Sequence, residues 1–303
     1  TSPCPLGTPS SLGWATGMRS AGGGGHDGKP NRNPYGNEVG DAMKMHEYAP
    51  SSSSEAPTAL LIHPMLSSAE GMRLIVADRM GNNLHYLIPD LSSHGEATST
   101  EYRSAAMEAN QIRDWLIGHG QTHLSLGFGA SLGGIVLLEL LKYPDLTFDR
   151  LFFEGTSMFV GARTKEAVVR RMFLSKHRRA AANPQLAIRK MGELYGPQAA
   201  RPMAESLIAM SELSIRNIVH DCGNVEPPAL SPDVQRRCTF AYGERDFDLS
   251  RARKVIPRLY PNVTLRVWTG FGHCERIMGD PDAYAAMLRK GLPAQQTTQD
   301  QAG

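Results

Sequence analysis

Residues far apart in the chain have the types and spacing needed for acyl chemistry. The segment Gly127-Phe128-Gly129-Ala130-Ser131-Leu132-Gly133-Gly134 contains G-x-S-x-G, with Ser131 at its centre. A nucleophile on a tight strand-to-helix turn has a strained backbone, so the residues two before and two after it must be small. Gly129 and Gly133 meet that requirement. The helix that opens at the turn offers unpaired amides that favour developing negative charge. A serine hydroxyl is a poor nucleophile until a base takes its proton. His273, in Thr269-Gly270-Phe271-Gly272-His273-Cys274, is the candidate base. A histidine base needs a carboxylate to hold its tautomer and stabilise the imidazolium. Tyr242-Gly243-Glu244-Arg245-Asp246-Phe247-Asp248 supplies Asp246 as first choice, with Asp248 and Glu244 as alternates. The order Ser, Asp, His along the chain suits a triad built on an open α/β sheet.

Such a triad needs a sheet whose strands all deliver their loops to one end. From Thr58 onward, apolar runs alternate with stretches of helical spacing. Strands are predicted at Ala59–Ile62, His85–Ile88 (stopped by Pro89-Asp90), His123–Phe128, Leu151–Phe153, Arg237–Tyr242 and Val263–Trp268, with a further short one at Lys44–Tyr48. Helices are predicted over Ala69–Met80, from a Thr98 cap with Glu101 in a capping box to about Ile117, over Leu132–Leu141, and over Pro281–Leu288. Near-continuous apolar strands between helices imply a mostly parallel central sheet covered on both faces.

Residues 158–230 break the alternation. They read as helices separated by Asn183-Pro184, Gly196-Pro197 and Pro227-Pro228, and carry 11 Lys+Arg against 6 Asp+Glu. Five methionines lie there, a flexible apolar filler suited to an adaptable pocket. The stretch is expected to be a helical lid, and its positive excess equally suits a solvated helix face. The expected organisation is a disordered tail or leader over 1–43, a core over 44–157 and 231–292, the lid insertion over 158–230, and a flexible C-terminus over 293–303. The first forty residues hold 10 of the 30 glycines and no apolar period, too little to offset the entropy of ordering. The serine run at 51–54 is expected to be a turn.

With these motifs in place, the sequence resembles the α/β-hydrolase superfamily, of the lidded single-domain bacterial kind, over about Leu60 to Leu292. Leu61-Ile62-His63-Pro64-Met65 resembles the family's H-G-x loop, with Pro64 where the family mostly has glycine. Asp90 through His94-Gly95 resembles the D-x-x-G-H-G turn, with Ser93 in place of its first glycine. The resemblance implies an α/β-hydrolase fold with a helical lid, and an oxyanion hole formed by the Met65 and Leu132 amides. It also implies hydrolysis of an ester or thioester of small to medium size through an acyl-enzyme. The same fold serves C–C bond hydrolysis, lyase-type and perhydrolase chemistry, and weakly catalytic ligand sensing. Those alternatives stay open at the level of sequence.

Composition narrows the field further. With 32 Lys+Arg against 30 Asp+Glu, the net charge of +2 argues against a general nucleic-acid binder. No apolar run reaches the length of a membrane span, and no secretory signal is expected from the first thirty residues. Cys4, Cys222, Cys238 and Cys274 form no C-x-x-C pair, so neither a zinc site nor a disulfide framework is expected. The glycine-rich turn fits neither the P-loop nor the dinucleotide pattern. The expectation is a cytoplasmic enzyme that needs no cofactor or metal and acts on a small acyl substrate, its oligomeric state open.

Overall fold

The computed structural model describes residues 43–50 and 56–292. The expected tail up to residue 42, the serine turn at 51–54 and the C-terminus from 293 lie outside the described residues. Met43 itself is buried, and its amide donates to Gln111 Oε1 at 2.8 Å.

The strands are β1 (Lys44–Tyr48), β2 (Thr58–Ile62), β3 (His85–Asp90), β4 (His123–Leu124), β5 (Leu126–Ala130), β6 (Thr147–Phe148), β7 (Leu151–Glu154), β8 (Cys238–Gly243) and β9 (Thr264–Trp268). Seven of them form one sheet in the order β1-β3-β2-β5-β7-β8-β9, while β4 and β6 pair separately. Only β1 runs antiparallel to its neighbour. The helices are α1 (Ala69–Met72) and α2 (Asp78–Met80), joined by a π-helical turn at Arg73–Ala77, then α3 (Ala105–Gly118), α4 (Leu132–Leu140), α5 (Arg163–Ala182), α6 (Pro184–Tyr195), α7 (Pro197–Ala209), α8 (Glu212–Gly223), α9 (Pro232–Arg237), α10 (Leu249–Leu259), α11 (Glu275–Gly279) and α12 (Pro281–Arg289).

The period-2 alternation of each strand divides the core between the two faces. Leu60, Ile62, Phe153 and Phe240 point to the side covered by α3, α4 and α10. Ala59, Leu61, Phe128, Phe152 and Ala241 point to the side covered by the α1–α2 segment and α12. Burying both faces is what gives the inner strands β2, β5 and β7 their continuous apolar composition, whereas the edge strands β1 and β9 keep exposed residues.

Three expectations need correction. Pro89 does not stop β3, which runs to Asp90: pairing with β2 ends at Leu87, so no partner there waits for an amide at position 89, and the segment pairs with β1 instead. The long helix does not begin at Thr98. Its cap is Ser104, whose hydroxyl accepts from the Met107 amide at 3.2 Å. Residues before it are held out of the helix by tertiary bonds, from Ser93 Oγ to Thr100 O and from Tyr102 to Asp221. The strand expected over His123–Phe128 divides at Ser125, whose amide donates to Thr58 O at 2.8 Å and passes the chain from β6 to β2.

Between β7 and β8 the chain is helical apart from its connecting turns. Helix α8 is fastened to the core by buried polar groups. Ser214 Oγ lies 2.6 Å from Ser93 Oγ and accepts from the Tyr102 amide at 3.0 Å. Asp221 accepts from both Tyr102 OH and the Ala105 amide at 2.7 Å. Ser93 has φ 68° at the place where the resembled turn carries glycine, and these bonds offset that strain. Helices α6 and α7 pack chiefly on each other, and α6 buries no residue.

Candidate active site

Ser131 stands between β5 and α4 with φ 49° and ψ −109°, a conformation foreign to L-residues outside strained turns. Its amide donates to Glu154 O at 2.8 Å, which pins the turn to β7. Close approach explains the flanking glycines. A Cβ on Gly129 would collide with the Gly133 carbonyl, and one on Gly133 would collide with the Ile62 carbonyl. The first turn of α4 therefore rests on the loop after β2.

His273 lies in the loop after β9, and Asp246 in the loop after β8. The two loops touch, since a Cβ on Gly243 would strike the backbone of Phe271 and Gly272. His273 Nδ1 is 3.1 Å from each Asp246 carboxylate oxygen, and Nε2 is 2.9 Å from Ser131 Oγ. A carboxylate only accepts, so Nδ1 carries the hydrogen and Nε2 is left to accept from the serine hydroxyl. The Asp246 side chain is fully buried and also accepts the Asp248 amide at 2.9 Å. Burial works against a charged His273, but Cys274 and Asp246 beside it outweigh that, and the net shift of its pKa is upward.

The two alternate acids are engaged elsewhere. Asp248 accepts from Lys165 Nζ at 3.0 Å, and burial raises its carboxyl while Lys165 opposes the rise. Glu244 accepts the Gly270 amide at 3.0 Å, closing the turn after β9. Ligand atoms of Asp246, Asp248 and His273 lie within 4.8 Å of one another, the one metal-type cluster among the described residues. In this structure His273 Nδ1 is bonded to Asp246, and an oxygen of Asp248 to Lys165.

Met65 and Leu132 occupy the two backbones that meet at the elbow. Neither amide donates to a backbone carbonyl among the described residues. Buried His63 donates from Nδ1 to Pro64 O at 2.8 Å and accepts the Leu91 amide on Nε2 at 3.1 Å. Pro64 C=O and Met65 N–H belong to one peptide, so fixing the carbonyl toward His63 turns the N–H the opposite way. The proline at position 64 leaves that donor intact.

Sequence reasoning passed over several neighbours. Phe247 is 63% exposed, yet its ring stacks on His273 with centroids 4.4 Å apart. Lys165 Nζ lies 3.2 Å from the Phe159 ring centroid and 5.2 Å from that of Phe247, so α5 reaches the mouth of the site. Glu154 is fully buried next to the elbow, its carbonyl accepting the Ser131 amide. Its one sequence signal is an acid ending the otherwise apolar run Leu151-Phe152-Phe153-Glu154.

No protein-family model and no curated protein matches the sequence. Solved structures do match. A Desulfitobacterium hafniense protein described as of the α/β-hydrolase family aligns over 82% of this chain and 100% of its own, with TM-score 0.63 and 14% identity. MenH from S. aureus aligns over 82% and 96%, with TM-score 0.60 and 19% identity. A thermophilic esterase from Thermogutta terrifontis aligns over 83% and 94%, with TM-score 0.59 and 15% identity. The chain has the α/β-hydrolase fold.

Proposed function

We propose that the protein is a serine hydrolase cleaving an ester or thioester of small to medium size. The observation that carries this reading is the continuous relay from Ser131 Oγ through His273 to Asp246, at 2.9 and 3.1 Å, on a strained elbow. Ser131 attacks the acyl carbon while His273 Nε2 takes its proton. His273 then gives that proton to the leaving group, and Asp246 holds the tautomer and stabilises the imidazolium. The Met65 and Leu132 amides receive the oxyanion, the charge on which electrostatic stabilisation acts most strongly. Water activated by His273 releases the acid from the acyl-enzyme. Helices α5 to α8 act as a lid, with Lys165 and Phe247 lining the mouth through which the substrate enters.

A fluorophosphonate probe tests the nucleophile. It is expected to label the wild-type protein at Ser131 and to leave Ser131→Ala unlabelled. Turnover of p-nitrophenyl esters of graded acyl length is expected to fall by roughly 10⁴ to 10⁶ in that variant. Labelling at another serine in Ser131→Ala overturns the assignment.

A further inference from the structure

Glu154 is a buried carboxyl that the chemistry above leaves without a task. It ends β7, and its backbone carbonyl accepts the Ser131 amide at 2.8 Å. Its side chain accepts from Trp268 Nε1 at 3.1 and 3.0 Å and from Tyr284 OH at 2.9 Å. Trp268 ends β9, just ahead of the loop that carries His273, and Tyr284 sits on α12. One carboxyl thus ties the strand that pins the elbow, the strand that feeds the histidine loop, and the helix covering both. The site is close: a Cβ on Gly155 would stand 3.1 Å from His273 Cε1, and Cys274 Sγ lies 3.7 Å from Glu154 O.

Two donors can be satisfied by a neutral amide oxygen with no charge to desolvate. A glutamine whose amide oxygen takes the Oε2 place keeps both bonds, from Trp268 at 3.0 Å and Tyr284 at 2.9 Å, although its amide nitrogen then faces Trp268 Nε1. What it lacks is a negative charge, and this site develops a positive one each time His273 becomes imidazolium. We propose that Glu154 is a positioning residue that clamps the His273 loop to the elbow and, when ionised, stabilises the imidazolium. This role rests on the serine-hydrolase reading above.

The titration of the pair supports the geometry. Burial raises the Glu154 carboxyl from 4.5 to about 7, while Trp268, Tyr284 and a charged His273 pull it down and Asp246 pushes it up. The other titratable groups facing it are Tyr242 from β8, Tyr284 from α12 and Cys274 beside His273, all shifted upward by burial. Arg266 and Arg276 flank the Trp268 ring at 5.2 and 6.0 Å. Around pH 7, Glu154 therefore passes from neutral to ionised. By reciprocity, ionised Glu154 favours the imidazolium as much as the imidazolium favours ionised Glu154.

The test is kcat for ester hydrolysis by wild type and Glu154→Gln from pH 5.5 to 9. Below the Glu154 pKa both proteins are neutral at this position, and kcat is expected to agree within about twofold. Above it, Glu154→Gln is expected to lose roughly tenfold in kcat with KM unchanged. An equal loss at every pH, or no loss, overturns the proposal. Tyr284→Phe is the second variant. Removing a donor that favours the ionised form should move the Glu154-dependent inflection of kcat upward by about 0.5 pH unit. An unmoved inflection also overturns the proposal, and this variant decides the matter if Glu154→Gln does not fold. Labelling of Ser131 by the fluorophosphonate separates the two readings. An unlabelled Ser131 sinks the hydrolase, whereas a labelled Ser131 with a pH-independent Glu154→Gln effect sinks the role of Glu154 alone.

Discussion

Asp246 and Asp248 stand two residues apart on one loop, and their neighbours divide the work between them. Asp246 offers both oxygens to His273, whereas Asp248 is held by Lys165. Asp246→Asn is expected to cut turnover by about 10⁴, through the wrong histidine tautomer, with the fold intact. Asp248→Asn should cost about tenfold or less, because it loosens Lys165 and leaves the imidazole partner in place. Steady-state kinetics with circular dichroism as the fold check distinguishes them, and the reverse ranking would make Asp248 the acid. At this scale Ser131 and His273 could be read from local motifs. The spacing past Gly243 put Asp246 ahead of Asp248 but could not separate them, because Lys165 lies far earlier in the chain. Glu154 was illegible for the same reason: Trp268 and Tyr284 become its neighbours only once the sheet has assembled.

At the scale of elements, what could be read was what depends on periodicity. Apolar runs marked β2, β5, β7 and β8 to within a few residues, since burial on both faces writes itself directly into composition; β9, an edge strand with Thr264 and Arg266 exposed, was marked by Leu265, Val267 and Trp268. The failures came where a tertiary partner overruled a local signal. Thr98 and Glu101 have the spacing of a capping box, but Ser93, Ser214 and Asp221 hold that stretch as a strap of turn and irregular backbone ahead of α3. Asp221 is the keystone of the strap. Asp221→Ala would leave Tyr102 OH and the Ala105 amide without their acceptor, and is expected to cost about 2–4 kcal/mol for two orphaned donors. The loss should appear as a lower urea midpoint and faster amide exchange in α8. Unchanged exchange there would show that apolar packing alone holds the helix.

Over the whole molecule, buried titratable groups pull stability in opposite directions with pH. Burial lifts Glu108 and Glu154 from 4.5 to about 7. The folded state then binds their protons more tightly than the unfolded state, so their contribution is present below pH 4.5 and is lost as pH rises through 7. Burial, joined by the charge of nearby His63, depresses His94 to about 3, and this contribution is lost as pH falls below 6.5. The two trends oppose each other between pH 4.5 and 6.5, and above that window the carboxyl loss is joined by that of His273, whose pKa is also raised. Glu108→Gln keeps an acceptor for the Ser92 amide, which lies 3.0 Å from Glu108 Oε2, and removes one titration. Its Tm relative to wild type is therefore expected to rise by roughly 3 °C or more between pH 5 and pH 8. A difference that stays constant with pH would remove Glu108 from the account. None of the described helices is long and apolar enough to cross a membrane.

The helical excursion leaves β7 after Glu154 and returns at Cys238, and those two strands are paired side by side, Leu151 with Cys238. Its two ends are thus held at opposite ends of adjacent parallel strands, three residues of rise along and one strand across, and the excursion is a closed loop in the polymer sense. Closure entropy grows only with the logarithm of loop length, about 0.6 kcal/mol for each doubling. Lengthening or trimming the α6–α7 hairpin, which buries little against the core, therefore hardly changes the cost of bringing β7 to β8. The residues that line up at the elbow all lie outside the loop. On the proposed reading of these helices as a lid, a chain built this way can exchange that cover while keeping the residues at the elbow, so new specificities are reachable by substitutions and indels that the fold scarcely registers.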